Sequence, residues 1–431
     1  MLVAPATAAA ALSAAHTDPV AAVVLALAVI LVAAKLGGDL AVRAGQPAVL
    51  GELVAGIVLG NLALVGVPWF RGLAADPTIG ILAQIGVVLL LFQVGLESTV
   101  REMLTVGVPS FLVAVIGVVT PFALGWAVGA ALLPQESWYA HAFLGATLTA
   151  TSVGITARVL TDLGKERTAE ARVIIGAAVI DDVLGLVILA VVSGVIVGVD
   201  RGQPLSLGQT GVVVAKAAVF LFGALGLGVV LSPRLFALAS RLRGRDVLLA
   251  VALAVCFVLA YLASAIGLAA IVGAYAAGLI LEDVHFREFQ ARGERSLRDL
   301  IAPIASFLVP VFFVVMGIRV DLRAFARPEI LGLAALLVAA AILVKQACAL
   351  GAVGGGLDRR SIGIGMIPRG EVGLIFASIG TTLTIAGRPV IDQAVFSAVV
   401  IMVVVTTLVT PPALAWSLRR GARLASAPPG R

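Results

Sequence analysis

Apolar positions along the chain gather into thirteen long runs, roughly 19–41, 47–64, 78–96, 106–133, 140–160, 172–198, 207–238, 246–265, 267–282, 300–320, 329–355, 361–386 and 390–418, parted by charged or Pro/Gly-rich breaks. A helix needs about 20 apolar residues to cross a hydrocarbon core ~30 Å thick. The pattern therefore predicts an all-α polytopic membrane protein with 13 transmembrane helices and its two ends on opposite sides. The sixth run holds the most unusual stretch, Val179-Ile180-Asp181-Asp182-Val183, with no other charge between Val173 and Val197. Two adjacent carboxylates near mid-membrane cost at least ~2.5 kcal/mol each on insertion scales, so residues of this kind are kept for ion or proton work.

Composition agrees. Apolar residues make up 61% of 431 positions and charged residues 13%, against about 45–50% and about 25% in a soluble domain. The mean hydropathy is +1.13 and the pI about 9.9. The basic balance does not indicate nucleic acid, because Lys and Arg fall in loops with no aromatic interleaving. Counting Lys and Arg with the N-terminus outside gives twenty on inside segments and six on outside loops. This orients the protein in the cell membrane with the N-terminus outside and the C-terminus cytoplasmic. Cys256 and Cys348 lie inside apolar runs and read as core thiols. The first nineteen residues read as a short outside tail, and 282–299 as an interfacial amphipathic helix. His16, His141 and His285 are too scattered for a metal site.

The chain also repeats. Gly51, Ala55, Gly56 and Leu59 of the second run recur 222 residues on as Gly273, Ala277, Gly278 and Leu281 of the ninth. Gly95, closing the third run, recurs at the same offset as Gly317, closing the tenth. Seven spans separate each pair, an odd number, so the halves would enter the membrane from opposite sides as two inverted six-helix repeats. Spans 1–6 and 8–13 would be the units and span 7 the link.

Sites in such folds form where corresponding helices are interrupted. The fifth span carries Thr147-Leu148-Thr149-Ala150-Thr151-Ser152, the twelfth Pro368-Arg369-Gly370-Glu371, and Thr149 and Glu371 are again 222 residues apart. Counted from the cytoplasmic boundaries, Asp181, Thr151, Glu371 and Lys345 all lie nine or ten residues deep. At about 1.5 Å per residue that is one level roughly 14 Å down. Asp181, Asp182, Lys345, Arg369 and Glu371 carry a formal charge of −1 together, which one monovalent cation or one proton balances. Asp181 and Asp182 point about 100° apart on a helix, so one can pair with Lys345 while the other faces the interruptions. Hydroxyls of Thr151 and Ser152, carbonyls of the broken helix and a carboxylate offer hard oxygen ligands for an alkali cation.

With GELVAGIVLGN at 51–61, LLLFQVGLE at 89–97, TATSVGITARVL at 149–160, VIDDVLGLVIL at 179–189, PVFFVVMGIRVDL at 310–322 and MIPRGEVGLI at 366–375, the chain resembles the cation:proton antiporter-2 family, and within it the bacterial sodium/proton exchangers of the NapA type. The resemblance implies an NhaA/NapA-like fold with spans 5 and 12 broken and crossed, and an elevator-like movement of a core against a dimerisation side. Residues 1–104 and 244–324 (spans 1–3 and 8–10) would form the dimerisation side. Residues 105–200 and 325–431 (spans 4–6 and 11–13) would form the core, with 201–243 as linker. It makes Asp182 the carboxylate that takes the transported alkali cation and protons in turn, and Asp181 its neighbour, ion-paired to Lys345 in one state. Thr151 and Ser152 would stand beside the site, with Arg369 and Glu371 in support. It implies electrogenic exchange of Na+ or Li+ for protons in a homodimer, with no cofactor and no nucleic-acid partner. A K+/H+ antiporter of the same family is the alternative. Two other classes are weaker. An intramembrane aspartyl protease needs its acids on separate helices across a cleft, and a channel needs no titratable Asp–Lys pair at one depth.

Overall fold

The computed structural model describes residues 19–66, 69–97, 107–165, 168–200, 202, 207–239, 241–242, 246–281, 296–354 and 356–425. The N-terminal tail with His16, most of the expected amphipathic segment with His285, and the side chains of Glu97 and Glu371 lie outside the described residues.

Each apolar run is occupied by helix. In order these are α1 Pro19–Arg43, α2 Ala48–Asn61, α3 Trp69–Ala75, α4 Pro77–Glu97, α5 Val108–Leu132, α6 Trp138–Thr147, α7 Val153–Asp162, α8 Ala169–Asp200, α9 Leu207–Ala239, α10 Val247–Ala265, α11 Ala270–Ile280, α12 Leu297–Ile318, α13 Pro328–Lys345, α14 Arg359–Gly365, α15 Glu371–Thr382 and α16 Gln393–Ala425. Among the described residues eight helices (α1, α4, α5, α8, α10, α12, α13 and α16) are long and apolar enough to cross a membrane. The short ones are informative: the fifth run is split into α6 and α7 and the twelfth into α14 and α15, at the polar and Gly-bearing positions the sequence marked. Side chains start the half-helices where the chain must turn into them. Ser137 accepts from Ala140 N at the start of α6, and Asp358 accepts from Arg360 N at the start of α14.

Two details depart from a plain helical reading. The eleventh run does not continue as α-helix to 355. It tightens into a 3-10 turn, Gln346–Gly351, directly after Lys345, where Gly351 comes so close to α5 that a Cβ would lie 2.5 Å from the Val113 nitrogen. The twelfth run gives way after Thr382 to a two-residue hairpin, Thr384–Ile385 against Arg388–Pro389, turned by Ala386 at φ 51° and Gly387 at φ 76°.

Glycines set the helix packing. A Cβ on Gly56 of α2 would strike the Val314 carbonyl of α12, and one on Gly317 would strike the Leu53 carbonyl of α2. Likewise a Cβ on Gly278 of α11 would strike the Phe92 carbonyl of α4, and one on Gly95 the Tyr275 carbonyl of α11. Gly51 faces Gly37 of α1, and Gly273 faces Leu259 of α10. Lipid tails are as apolar as leucine, so close backbone approach of this kind is a main source of helix association in a membrane. Gly56→Ala should lower stability by about 1–3 kcal/mol, because the obstacle is backbone and cannot rotate away. A thermal melt in detergent unchanged from wild type would refute this.

Candidate functional site

The two breaks meet. Ser152 N, in the stretch between α6 and α7, donates to the Pro368 carbonyl in the stretch between α14 and α15 at 2.9 Å. Thr156 Oγ1 of α7 donates to the Gly365 carbonyl ending α14 at 2.7 Å. Gly370 abuts Ser152 so closely that a Cβ would stand 2.6 Å from the serine side chain. Breaking both helices exposes backbone groups that lipid cannot satisfy, so they are viable only where protein supplies partners.

Arg369 supplies one set. Its guanidinium is fully buried, and Nη1 donates to the carbonyls of Thr149 at 3.1 Å and Ala150 at 2.7 Å. These lie just past the C-terminal end of α6, where the helix dipole favours a cation. The Arg369 backbone is held from the opposite side by α16: Thr407 Oγ1 donates to its carbonyl at 2.7 Å, and its N–H reaches Thr406 Oγ1 at 3.4 Å.

Lys345 supplies the other. Its ammonium, also without exposure, donates to the carbonyls of Gly117 at 2.6 Å and Thr149 at 3.1 Å and to Thr151 Oγ1 at 2.8 Å. It stands 3.5 Å from Asp181 Oδ1, an ion pair with both partners at 0% exposure. The Asp181 oxygens make no hydrogen bond of good geometry among the described residues, though the Thr151 hydroxyl and Arg369 lie within electrostatic reach. Small residues on α5 make the space. A Cβ at Gly117 would lie 3.3 Å from Lys345 Nζ and 3.0 Å from Cys348 Sγ.

Asp182 differs from its neighbour in keeping 7% of its surface exposed, where Asp181 keeps none. Adjacent carboxylates thus occupy different environments, one locked against Lys345 and the other with a sliver of access. Two crevices flank the crossing from opposite ends. One, of about 280 Å³, is lined by Leu50, Gln93, Ser152, Phe313, Gly370 and Thr407. The other, of about 520 Å³, is lined by Gln84, Ser193, Ser264, Phe312, Arg319 and Ser378 among others.

The structure therefore brings Asp181, Lys345, Thr151 and Arg369 into one cluster, with Ser152 at the crossing and Asp182 beside Asp181 on α8. Glu371 opens α15. The broken-helix carbonyls of Thr149 and Ala150 and the Thr151 hydroxyl accept hydrogen bonds from Lys345 and Arg369 in this arrangement. Depth fixed the level of these groups but not which way each pointed. Sequence reasoning missed Gly117, Thr406 and Thr407. The adjacent threonines in the thirteenth run were the available signal for the last two. Glu52 is buried on α2 with Lys35 as a charged neighbour. His141 bonds the Leu133 carbonyl at 2.9 Å.

A helical membrane protein with opposed charges buried where two interrupted helices meet is built as an ion-coupled secondary transporter. Comparison with known proteins agrees. The family model described as sodium/hydrogen exchanger, transmembrane, matches residues 22–420. The chain is 38% identical to the high-affinity Na(+)/H(+) antiporter NhaS3 of Synechocystis, over 95% of this chain and 92% of that one. It is 35% identical to the Na(+)/H(+)-K(+) antiporter GerN of Bacillus cereus, over 91% and 95%. Its fold matches the solved structure of the sodium proton antiporter MjNhaP1 from Methanocaldococcus jannaschii with a TM-score of 0.70, at 16% identity, covering 94% of this chain and 99% of that one. The chain belongs to the transmembrane sodium/hydrogen exchanger family. Membership makes it a transporter and sets the aspartyl-protease reading aside.

Proposed function

We propose that this protein exchanges a monovalent cation, Na+ and also Li+, for protons by alternating access, with Asp182 as the carboxylate that cation and proton occupy in turn. The observation that carries the reading is the contrast between the two aspartates: Asp181 fully buried 3.5 Å from Lys345, Asp182 with residual exposure. A proton and a bare alkali cation each neutralise a carboxylate, and burial disfavours leaving it charged and alone, so the two compete for one place. Asp181 then serves as the partner that Lys345 holds in one state and releases in another, which adds a charge movement to the cycle and makes exchange electrogenic. Ser152 and, once freed from Lys345, Thr151 add ligand oxygens, while Arg369 and Glu371 support the crossing.

The inverted-repeat reading draws support from the glycine contacts. Moving each partner by 222 residues turns the Gly56–Val314 contact into that of Gly278 with Phe92, and the Gly317–Leu53 contact into that of Gly95 with Tyr275. It also turns Gly51–Gly37 into Gly273–Leu259. A pseudo-two-fold axis between α2/α12 and α4/α11 accounts for all of these. On this reading α9 and the short helices α2, α6/α7, α11 and α14/α15 complete thirteen crossings, with the N-terminus outside and the C-terminus cytoplasmic. The core of α5–α8 and α13–α16 moves against a dimerisation side of α1–α4 and α10–α12 in a homodimer. K+ is the second candidate cargo, favoured by the similarity to GerN.

In proteoliposomes with a trapped pH dye, added NaCl should move protons in the opposite direction, LiCl should do so as well, and Asp182→Asn should abolish both. Sodium flux persisting in that variant would defeat the reading, and a response to KCl equal to that for NaCl would favour the second cargo.

A further inference from the structure

The 520 Å³ crevice lies at the end of the molecule that the charge count puts outside, between α4, α10 and α12 on one side and α8 and α15 on the other. Its lining includes Ser193 of α8, which is 3% exposed and whose hydroxyl has no partner among the described residues. A buried hydroxyl without a partner is uncommon, because leaving it unsatisfied carries the full desolvation cost. Ser193 is also eleven residues beyond Asp182. At about 100° and about 1.5 Å per residue, that returns it to within roughly 20° of the same helix face, about 16 Å further out. On that face between them stand Leu186 and Leu189, both buried, and Phe376 of α15 approaches α8 beside Gly185. A hydroxyl in the crevice, an apolar plug and a carboxylate thus follow one another along a single face of α8.

We propose that this crevice is the external mouth of the exchange path, that Ser193 is a relay ligand for a partly hydrated alkali cation on its way to or from Asp182, and that Arg319 at the mouth sets how readily cations enter. The proposal rests on the Asp182 reading above. A hydroxyl and a few waters suit a transient cation position, since they weaken the hydration shell without holding the ion as a carboxylate would. Arg319 is the only charged side chain among the described lining residues, and it is half-buried. Its field acts against cation entry, and salt screens a charge at an open mouth.

The test measures the KM for Na+ separately from each face, in right-side-out and inverted vesicles. Ser193→Ala should raise KM from the crevice face several-fold, on the scale of one polar contact, and leave KM from the other face unchanged. Ser193→Thr, which keeps the hydroxyl, should bring it back toward wild type. Arg319→Gln should lower KM from the crevice face at low ionic strength, an effect that fades near ~0.15 M salt, where the Debye length is about 8 Å. As a measurement independent of turnover, Ser193→Cys should react with a membrane-impermeant cationic thiol reagent from the crevice face alone, more slowly in NaCl. The native cysteines are both buried. An unchanged KM in Ser193→Ala, or labelling from neither face or from both equally, overturns the proposal. Loss of the Asp182 reading would show separately, as exchange surviving Asp182→Asn.

Discussion

Lys345→Met should destabilise the protein by about 3–5 kcal/mol, the range for removing one partner of a buried ion pair, and should stop exchange. The methionine fills similar space, so the loss is electrostatic rather than steric. Asp181 at 0% exposure would lose its counter-ion at 3.5 Å, and the Gly117 carbonyl would lose a donor at 2.6 Å. The decisive measurement is the double-mutant cycle. Asp181→Asn removes the orphaned charge, so Lys345→Met combined with Asp181→Asn should recover much of the stability lost by the single variant, giving a coupling energy well above the 0.3–0.5 kcal/mol scatter of independent sites. On the proposed mechanism the double variant should regain no electrogenic exchange, because the pair proposed to shift charge has gone. If the two losses simply add, Lys345 is held by Gly117, Thr149 and Thr151 alone and Asp181 does not depend on it.

The sequence made the fold legible to the extent that membrane helices are delimited by solvation. Apolar runs ended within a few residues of the helices, as in 207–238 against Leu207–Ala239, because charges and glycines mark where lipid gives way to water. The breaks at 148–152 and 366–370 were visible for a related reason: Thr, Ser, Pro and Gly are tolerated at that depth only where other protein groups take up the freed backbone. What depth could not convey was direction around the helix axis. Lys345, Asp181, Thr151 and Arg369 were put on one level, yet that level did not tell that Lys345 would spend two of its three bonds on carbonyls, or that Arg369 would turn to Thr149 and Ala150. The 222-residue recurrence of glycines was readable, but their partners were not, since Val314, Leu53, Phe92 and Tyr275 contribute only carbonyls, which every residue has. The 3-10 turn after Lys345 and the hairpin at 384–389 were hidden for the same reason. Both are set by close backbone contact or positive φ.

Arg369→Leu should be the other severe variant, with exchange falling at least tenfold and stability by several kcal/mol, and its reason differs from that for Lys345. Arg369 fills a fully buried volume at the crossing and joins three elements. Its side chain closes the carbonyl end of α6, while its backbone is clasped by Thr406 and Thr407 of α16. Without it the Ala150 carbonyl loses a donor at 2.7 Å, a cost of about 1–3 kcal/mol on its own. The cluster of Asp181, Asp182, Lys345 and Arg369 also shifts from neutral to a charge of −1. A more negative site holds a cation more tightly, so the variant should lower KM for Na+ while it lowers maximal velocity more. A merely loosened fold would not produce that split. Arg369→Lys restores the charge but not the buried volume of the guanidinium or the reach of its Nη1, which alone bonds both carbonyls, so it should correct KM toward wild type and leave the stability only partly repaired. Were Arg369→Leu to keep both wild-type velocity and wild-type melting temperature, the crossing would be held by the Ser152–Pro368 and Thr156–Gly365 bonds without it.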